Sequence, residues 1–172
     1  MIDALRNVST RRSAFSELVI KHSEEIYWTA RHIVGNHQDA DDVVQNTFIK
    51  AWNKLDEFRG DSKFSTWLHR IAVNEALDLL RKEKKFMGKE VDVRELNGMF
   101  ADDFFDGDET ERMLRNAIES LPTAQRTVFC MKYFDNKTYK EISEILGTSE
   151  GGLKANFHHA VDKIRKYFSD KI

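Results

Sequence analysis

The sequence contains few residues that interrupt helices or cross-link chains. Its 172 residues include one proline and eight glycines, roughly half the share usual in globular proteins. This scarcity leaves little room for turn-rich, all-β architectures and favours long helices. The single cysteine excludes an internal disulfide and a zinc site built from several cysteines.

Long apolar runs are missing as well. No stretch of about 18 apolar residues occurs, so we expect no insertion into a membrane. The first residues lack the apolar segment of a signal peptide, so we expect the protein in the cytoplasm. With 33% charged and 41% hydrophobic residues, the chain is polar without having the composition of a disordered one. Its length suits one ordinary domain or two small ones.

The net charge is also small, and its distribution is uneven. A formal charge of −2, taken alone, argues mildly against a nucleic-acid partner, because domains that bind nucleic acids are usually basic. However, residues 1–85 carry a net charge of +1, residues 86–111 carry −7, and residues 112–172 carry +4. We therefore predict two domains, 1–85 and 112–172, joined by a flexible acidic linker at 86–111.

The acidic linker has two possible interpretations. It contains Gly88, Gly98 and Gly107 among its carboxylates, as expected of a solvated loop. It also contains Phe100, Phe104 and Phe105, which are too apolar for a pure spacer. The alternative is therefore a segment that mimics nucleic acid or docks on a partner.

The N-terminal segment predicts three helices from the spacing of its apolar residues. The first runs from Ala14 to Val34, where Gly35–Asn36 ends it. The second begins with Asp39 as its N-cap and runs to about Leu55. The third runs from about Phe64 to Lys85.

A mixed polar face on the third helix suggests contact with nucleic acid. Trp67, Arg70, Asn74, Asp78 and Arg81 are spaced three or four residues apart and so share one face. The arginines could contact phosphates, and Trp67 could stack on a base. The alternative is a salt-bridged face in which Asp78 pairs with Arg70 or Arg81 while Trp67 lies half in the core. Spacing alone leaves both interpretations open.

The C-terminal segment predicts a helix-turn-helix. Thr138 and Glu141 form a capping box at the start of a short helix, Gly147 ends that helix, and Ser149 can cap the next. The second helix of such a unit enters the major groove. There Lys154 and His158 could meet phosphates or guanine edges. The alternative is an ordinary helical hairpin.

Several stretches, taken together, resemble bacterial sigma factors. Residues Gly35–Phe48 resemble the polymerase-binding helix of that family, and Phe58–Asn74 resemble its promoter-melting segment. Leu121–Phe129 and Tyr139–Gly147 match its C-terminal block. The resemblance spans about residues 12–168. The length leaves room for only the second and fourth regions of larger sigma factors, which points to the extracytoplasmic-function class. One departure is Gly151–Asn156, where the basic residue that the family has two positions after Lys154 is absent.

The resemblance implies an all-α protein of two small helical domains that binds core RNA polymerase and recognises the −10 and −35 promoter elements as the DNA melts. The residues implied in binding the clamp helices of the polymerase β′ subunit are Asp41, Asp42, Gln45, Phe48, Lys50 and Trp52. Those implied at the −10 element are Asp61, Ser62, Lys63, Phe64, Ser65, Trp67, Arg70, Asn74 and Arg81. Those implied at the −35 element are Ser149, Glu150, Gly151, Gly152, Lys154, Ala155 and His158.

The resemblance also implies an anti-sigma factor as a partner. We expect a monomer when free, with no catalytic residue, metal or cofactor. The main alternative is a stand-alone helix-turn-helix transcription regulator, which would need a dimer interface and palindromic DNA. An enzyme is disfavoured because the six histidines show no metal-binding spacing and no nucleotide fingerprint occurs. Cys130 is expected to be buried.

Overall fold

The computed structural model describes residues 4–5, 7–86 and 108–171, which form helices and, within those ranges, no strand. The α-helices are α1 (Arg11–Val34), α2 (His37–Asn53), α3 (Phe64–Phe86), α4 (Glu109–Glu119), α5 (Thr123–Tyr133), α6 (Tyr139–Leu146) and α7 (Glu150–Ser169), with a 3₁₀ turn at Leu55–Glu57. The all-helical prediction is confirmed. Most of the predicted linker, including Phe100, Phe104 and Phe105, lies outside the described residues.

The junction between α1 and α2 corrects one predicted cap. Gly35 has a φ of 91° and donates its amide to Arg31, which ends α1. The chain then becomes extended at Asn36, whose side chain accepts a hydrogen bond of 2.8 Å from the Asp39 amide. Asn36, rather than Asp39, is therefore the N-cap of α2. Asp39 lies in the first turn, where its charge complements the helix dipole.

Helices α1, α2 and α3 form an N-terminal module around a shared apolar core. Leu18 and Ile26 of α1 pack with Ala51 of α2 and with Leu68 and Ala72 of α3. All five side chains are almost fully inaccessible to solvent. Helices α1 and α3 thus bury most of the apolar residues that their periodicity predicts. On α2 the predicted stripe is only partly buried, because Val44 and Phe48 are half-buried and Trp52 is 38% exposed.

Helices α4 to α7 form a C-terminal module with its own core. Ile118, Leu121, Phe129 and Cys130 pack against Ala160 of α7. The prediction that Cys130 is buried is confirmed. Burial raises the pKa of its thiol to about 12, so this sulfur is protonated and unreactive at neutral pH.

A third apolar cluster is shared by the two modules. Ile33 of α1 and Val73 of α3 are fully buried together with Met131 of α5, Ile142 of α6 and Leu153 of α7. Contact runs mainly between α1 and α5 and between α3 and α6. The two modules therefore pack directly on one another, which the sequence analysis did not predict.

Candidate nucleic-acid interface

One face of α2 is open to solvent along its length. Asp41, Asp42 and Gln45 are exposed in its first turns, and Trp52 is partly exposed near its end. Phe48 lies half-buried against the core of the N-terminal module. The predicted polymerase-binding residues thus share a helix but not a single environment.

Two members of this set also hold the module together. Lys50 forms an ion pair with Glu75, which ties α2 to α3. The ring of Trp52 packs edge-on against Phe15 at 5.1 Å between ring centroids. The Arg11 guanidinium lies 5.4 Å from the centre of the Trp52 ring. Substitutions at Lys50 or Trp52 would therefore alter folding as well as any surface contact.

Sequence analysis missed an apolar residue on the open face of α2. Ile49 is 58% exposed and follows Asp42 and Gln45 at the seven- and four-residue spacings of one helix face. Ile49 thus adds an apolar side chain to the polar residues that the open face of α2 exposes. The spacing of Ile49 from Asp42 and Gln45 in the sequence was enough to place it on this face, but it was not among the predicted residues.

Aromatic residues gather where α3 begins. Phe58, Phe64 and Trp67 contact one another, with ring centroids 5.2–5.5 Å apart. Phe58 is buried, whereas Phe64 and Trp67 keep part of their surface exposed. These two rings are therefore held rigidly by packing while they retain exposed surface on which a base can stack.

The loop before α3 and the polar face of α3 lie beside these rings. Asp61 and Lys63 are exposed, and Ser62 and Ser65 are partly exposed. Further along α3, Asn74 is exposed and is available to a base edge.

The arginines of α3 are already bonded within the protein. Arg81 forms an ion pair of 2.6 Å with Asp78, which is one of the pairings that the salt-bridge interpretation allowed. Arg70 does not pair with Asp78 here. Its guanidinium donates a hydrogen bond to the backbone oxygen of Glu144 in α6.

The predicted helix-turn-helix is present in the C-terminal module. Thr138 accepts from the amide of Glu141, and the Glu141 carboxylate accepts from the Thr138 amide at 2.8 Å. These bonds to Thr138 lower the pKa of Glu141. Gly147, with a φ of 67°, ends α6 in the left-handed conformation, and Ser149 caps α7 by accepting from the amide of Gly152. The capping box and both caps are confirmed.

The start of α7 presents an open surface to solvent. The predicted −35 residues that are exposed are Ser149, Glu150, Gly151, Lys154, Ala155 and His158, and Gly152 is half-buried. His158 Nε2 lies 3.2 Å from the carboxylate of Asp162. Lys154 Nζ lies 5.7 Å from the centre of the Tyr139 ring. Both basic groups are therefore held near the helix surface while they remain exposed.

The two glycines of α7 differ in their surroundings. A Cβ atom at Gly152 would lie 3.3 Å from Ser149 Oγ, so the capping contact itself leaves little room there. A Cβ atom at Gly151 would meet nothing within 4 Å. No internal contact therefore accounts for a glycine at position 151. Gly151 lies in the first turn of α7, where backbone amides without a partner in the helix suit a phosphate.

The part of the chain that the structure describes contains no helix able to cross a membrane. Across the same ranges, no three His, Cys, Asp or Glu side chains come together as metal ligands would.

Two helical modules, the second ending in a helix-turn-helix with an open first turn, form the arrangement expected of a transcription factor that reads DNA. Comparison with protein families supports this class for both modules. The Sigma-70 region 2 model matches residues 18–86, and the Sigma-70 region 4 model matches residues 111–164.

Relatives match along nearly the whole chain. The ECF RNA polymerase sigma factor SigW of Bacillus subtilis is 32% identical over 170 residues, which covers 92% of this chain and 91% of SigW. The RNA polymerase sigma-H factor of Pseudomonas aeruginosa is 30% identical over 172 residues, with 90% and 86% covered. The chain therefore belongs to the ECF family of RNA polymerase sigma factors. The alternative of a stand-alone regulator is not favoured, because it leaves the region 2 match unexplained.

Solved structures show the same fold. CnrH in complex with the cytosolic domain of CnrY is 26% identical, with a TM-score of 0.71 over 98% of this chain and 96% of that one. The sigma factor RpoE in complex with the anti-sigma factor NepR from Bartonella quintana is 22% identical, with a TM-score of 0.70 over 91% and 97%. These similarities extend over both modules.

Proposed function

We propose that this sigma factor directs core RNA polymerase to promoters through three separate surfaces. The observation that carries the proposal is that one chain holds both the region 2 and the region 4 match in order. In this scheme the open face of α2 binds the clamp helices of the β′ subunit. Asp41, Asp42 and Gln45 supply its polar contacts, and Ile49 supplies an apolar centre.

The start of α3 reads the −10 element as the duplex opens. A base flipped from the non-template strand loses stacking and pairing worth a few kcal/mol. The half-exposed rings of Phe64 and Trp67 offset that loss by stacking, and Asn74 hydrogen-bonds a base edge. The loop residues Asp61–Ser65 border this surface and complete it.

The start of α7 reads the −35 element in the major groove. The free amides of Glu150 and Gly151 face a phosphate, and Lys154 and His158 contact phosphates or guanine edges. Phosphate contacts by basic residues supply most of the affinity of a protein for duplex DNA. Because this surface has few basic residues, the isolated protein binds duplex DNA weakly. Core polymerase supplies the rest by holding both modules on one promoter.

The proposal includes the form and partners of the free protein. The free protein is a non-catalytic, cytoplasmic monomer. When it binds the polymerase, its acidic linker connects the two domains there. Its activity is controlled by an anti-sigma factor, since the relative from Bartonella quintana is in complex with one.

Two substitutions separate the two promoter-reading surfaces. Asn74→Ala is expected to change base preference at the −10 element only. Lys154→Ala is expected to weaken use of the −35 element only. The effects are separate because the two exposed side chains lie on different modules. Run-off transcription with core polymerase, on templates mutated base by base at either element, measures both. Glu17→Ala provides a control on the N-terminal module, because Glu17 is exposed on α1 and lies outside both promoter-reading surfaces. If both substitutions weakened both elements equally, the division of labour would be wrong.

A glycine substitution tests the approach of DNA to α7. Gly151→Ala is expected to stabilise the helix by up to about 1 kcal/mol, because the added methyl meets no internal atom. It is also expected to lower −35-dependent transcription several-fold, because the methyl group would stand between the backbone and a phosphate. Thermal unfolding and run-off transcription give the two values. Unchanged or increased transcription would show that DNA does not approach this turn closely.

A further inference from the structure

A groove lies between α3 and the helices of the C-terminal module. It has a volume of about 390 Å³, which is within the range of pockets that hold small organic ligands. Its walls come from α3, from α5, from the end of α6 with the turn after it, and from α7. Of the residues assigned above to core polymerase or to promoter DNA, only Arg81 lines this α3–α5 groove. The groove is therefore a feature that the proposed function does not use.

The inner part of the α3–α5 groove is apolar. Val128 and Leu153 line it and are buried in the cluster shared by the two modules. Leu77, Leu80 and Leu146 also line it and pack against that cluster, but they are only half-buried. These three leucines therefore keep apolar surface exposed within the groove. An apolar group that covers this surface is stabilised by leaving water.

The outer part of the groove is positively charged. Along α3 the lining residues change from the half-buried Leu77 to the exposed Arg81 and Lys84, so both cations lie away from the shared cluster. Arg81 is bonded to Asp78 at 2.6 Å. Within the described ranges, Lys84 has no ion pair or hydrogen bond. Lys84 therefore supplies one uncompensated positive charge to the rim.

Helix α5 begins at this rim without a side-chain cap. Its N-cap is Pro122, which makes no capping hydrogen bond. Along α5 the lining residues change from the buried Val128 to the exposed Thr123 and Ala124 of the first turn. The Arg126 amide donates to Pro122 and starts the helical bonding, so the amides of Thr123 and Ala124 lack a partner in the helix. They carry the positive end of the helix dipole, which attracts an anion.

Asn156 of α7 adds a polar group to the groove. It stands two positions after Lys154, where the sigma-factor family has a basic residue. It follows the buried Leu153 by three positions on one helix face, and it is half-buried and lines the groove. The departure from the family pattern therefore falls in the groove, where the side-chain amide is a further hydrogen-bond donor.

We propose that the α3–α5 groove binds a small amphipathic carboxylate with an unbranched alkyl chain, of the class of medium-chain fatty acids. The carboxylate lies at the rim, where the amides of Thr123 and Ala124 donate to its oxygens and Lys84 faces its charge. The alkyl chain covers the leucines of the inner part. One uncompensated lysine matches a single negative charge better than the nearly double charge of a phosphate monoester. Binding at this groove does not depend on the proposed function.

Titration of the full chain with decanoate tests the ligand class. Isothermal titration calorimetry at pH 7, below the concentration at which decanoate forms micelles, should show a single site. Hexanoate should bind at least about tenfold more weakly, because its shorter chain covers less apolar surface. Decyltrimethylammonium has the same alkyl length and the opposite charge. It should also bind at least about tenfold more weakly, because its head group meets Lys84 and the positive end of α5.

A matched pair of lysine substitutions locates the carboxylate. Lys84→Ala should weaken decanoate binding about three- to fivefold, the effect of losing one exposed ion pair. Lys82→Ala, at an exposed lysine of α3 that does not line the groove, should leave the affinity unchanged. Both variants should unfold at the wild-type temperature. In proton–nitrogen correlation NMR spectra, decanoate should shift the amide signals of Thr123 and Ala124.

The proposal is overturned if the full chain does not bind decanoate, if decyltrimethylammonium binds as tightly, or if the amide signals of the α5 first turn do not move. It is also overturned if Lys82→Ala weakens binding as much as Lys84→Ala. A chain carrying Phe100→Ser, Phe104→Ser and Phe105→Ser identifies a rival occupant. If that chain bound decanoate and the wild-type chain did not, the acidic segment of the chain itself would occupy the groove, and the proposal would equally be wrong.

Discussion

Replacing Asp42 by arginine is expected to lower the affinity for core RNA polymerase at least about 30-fold. Asp42 lies exposed in the polar part of the open face of α2, seven residues before the exposed Ile49. Reversing a charge that makes a direct polar contact in an interface costs about 2 kcal/mol or more, which corresponds to that factor. Fluorescence anisotropy of labelled protein titrated with core polymerase measures the change directly.

Glu17→Arg is the matched control for this experiment. Glu17 is an exposed carboxylate of α1, so the substitution makes the same change in net charge on the same module. We expect its affinity for core polymerase to stay within about twofold of wild type, as for most surface substitutions. Equal affinities for Asp42→Arg and Glu17→Arg would show that the polymerase binds elsewhere.

Truncating Ile26 is expected to lower the free energy of unfolding by about 2–5 kcal/mol. Ile26 is 0% exposed in α1 and packs in the core of the N-terminal module, so Ile26→Ala removes buried apolar surface and leaves a cavity. Ile20 provides a matched control in the same helix, because it is 81% exposed. Ile20→Ala should change stability by less than about 0.5 kcal/mol. Urea unfolding measures both variants, and a difference below about 1 kcal/mol would contradict the assigned core.

Local features of the fold could be predicted from the sequence because their causes are local. The capping box of Thr138 and Glu141 and the left-handed Gly147 each depend on residues a few positions apart, and the structure confirms them. The one incorrect cap, Asp39, shows the limit of this reasoning. Asn36 and Asp39 are both good caps, and the choice depends on where Gly35 turns the chain.

The contact between the modules could not be predicted, because its residues are far apart in sequence. Lys137 and Glu25 are 112 residues apart, and Thr29 and Asp135 are 106 residues apart. In the sequence, Ile33 and Ile142 look like ordinary core residues of separate helices. Only the fold shows that they meet in one cluster.

The proposed binding residues were found by resemblance, and the structure adds to them what each side chain contacts. Lys50 and Trp52 bond within the N-terminal module, and Arg70 bonds across to the C-terminal module. Asn74 and Lys154 are exposed. The spacing of residues along one helix does not show whether a polar side chain is bonded within the protein or exposed to solvent, because the bonding partners of these residues lie on other helices.

Run-off transcription tests the central claim most directly. Purified protein is added to core RNA polymerase and a library of promoter templates, with core polymerase alone as the reference. We predict products that require the added protein and that are lost when either the −10 or the −35 element of the template is scrambled. The absence of any protein-dependent product across the library would contradict the account.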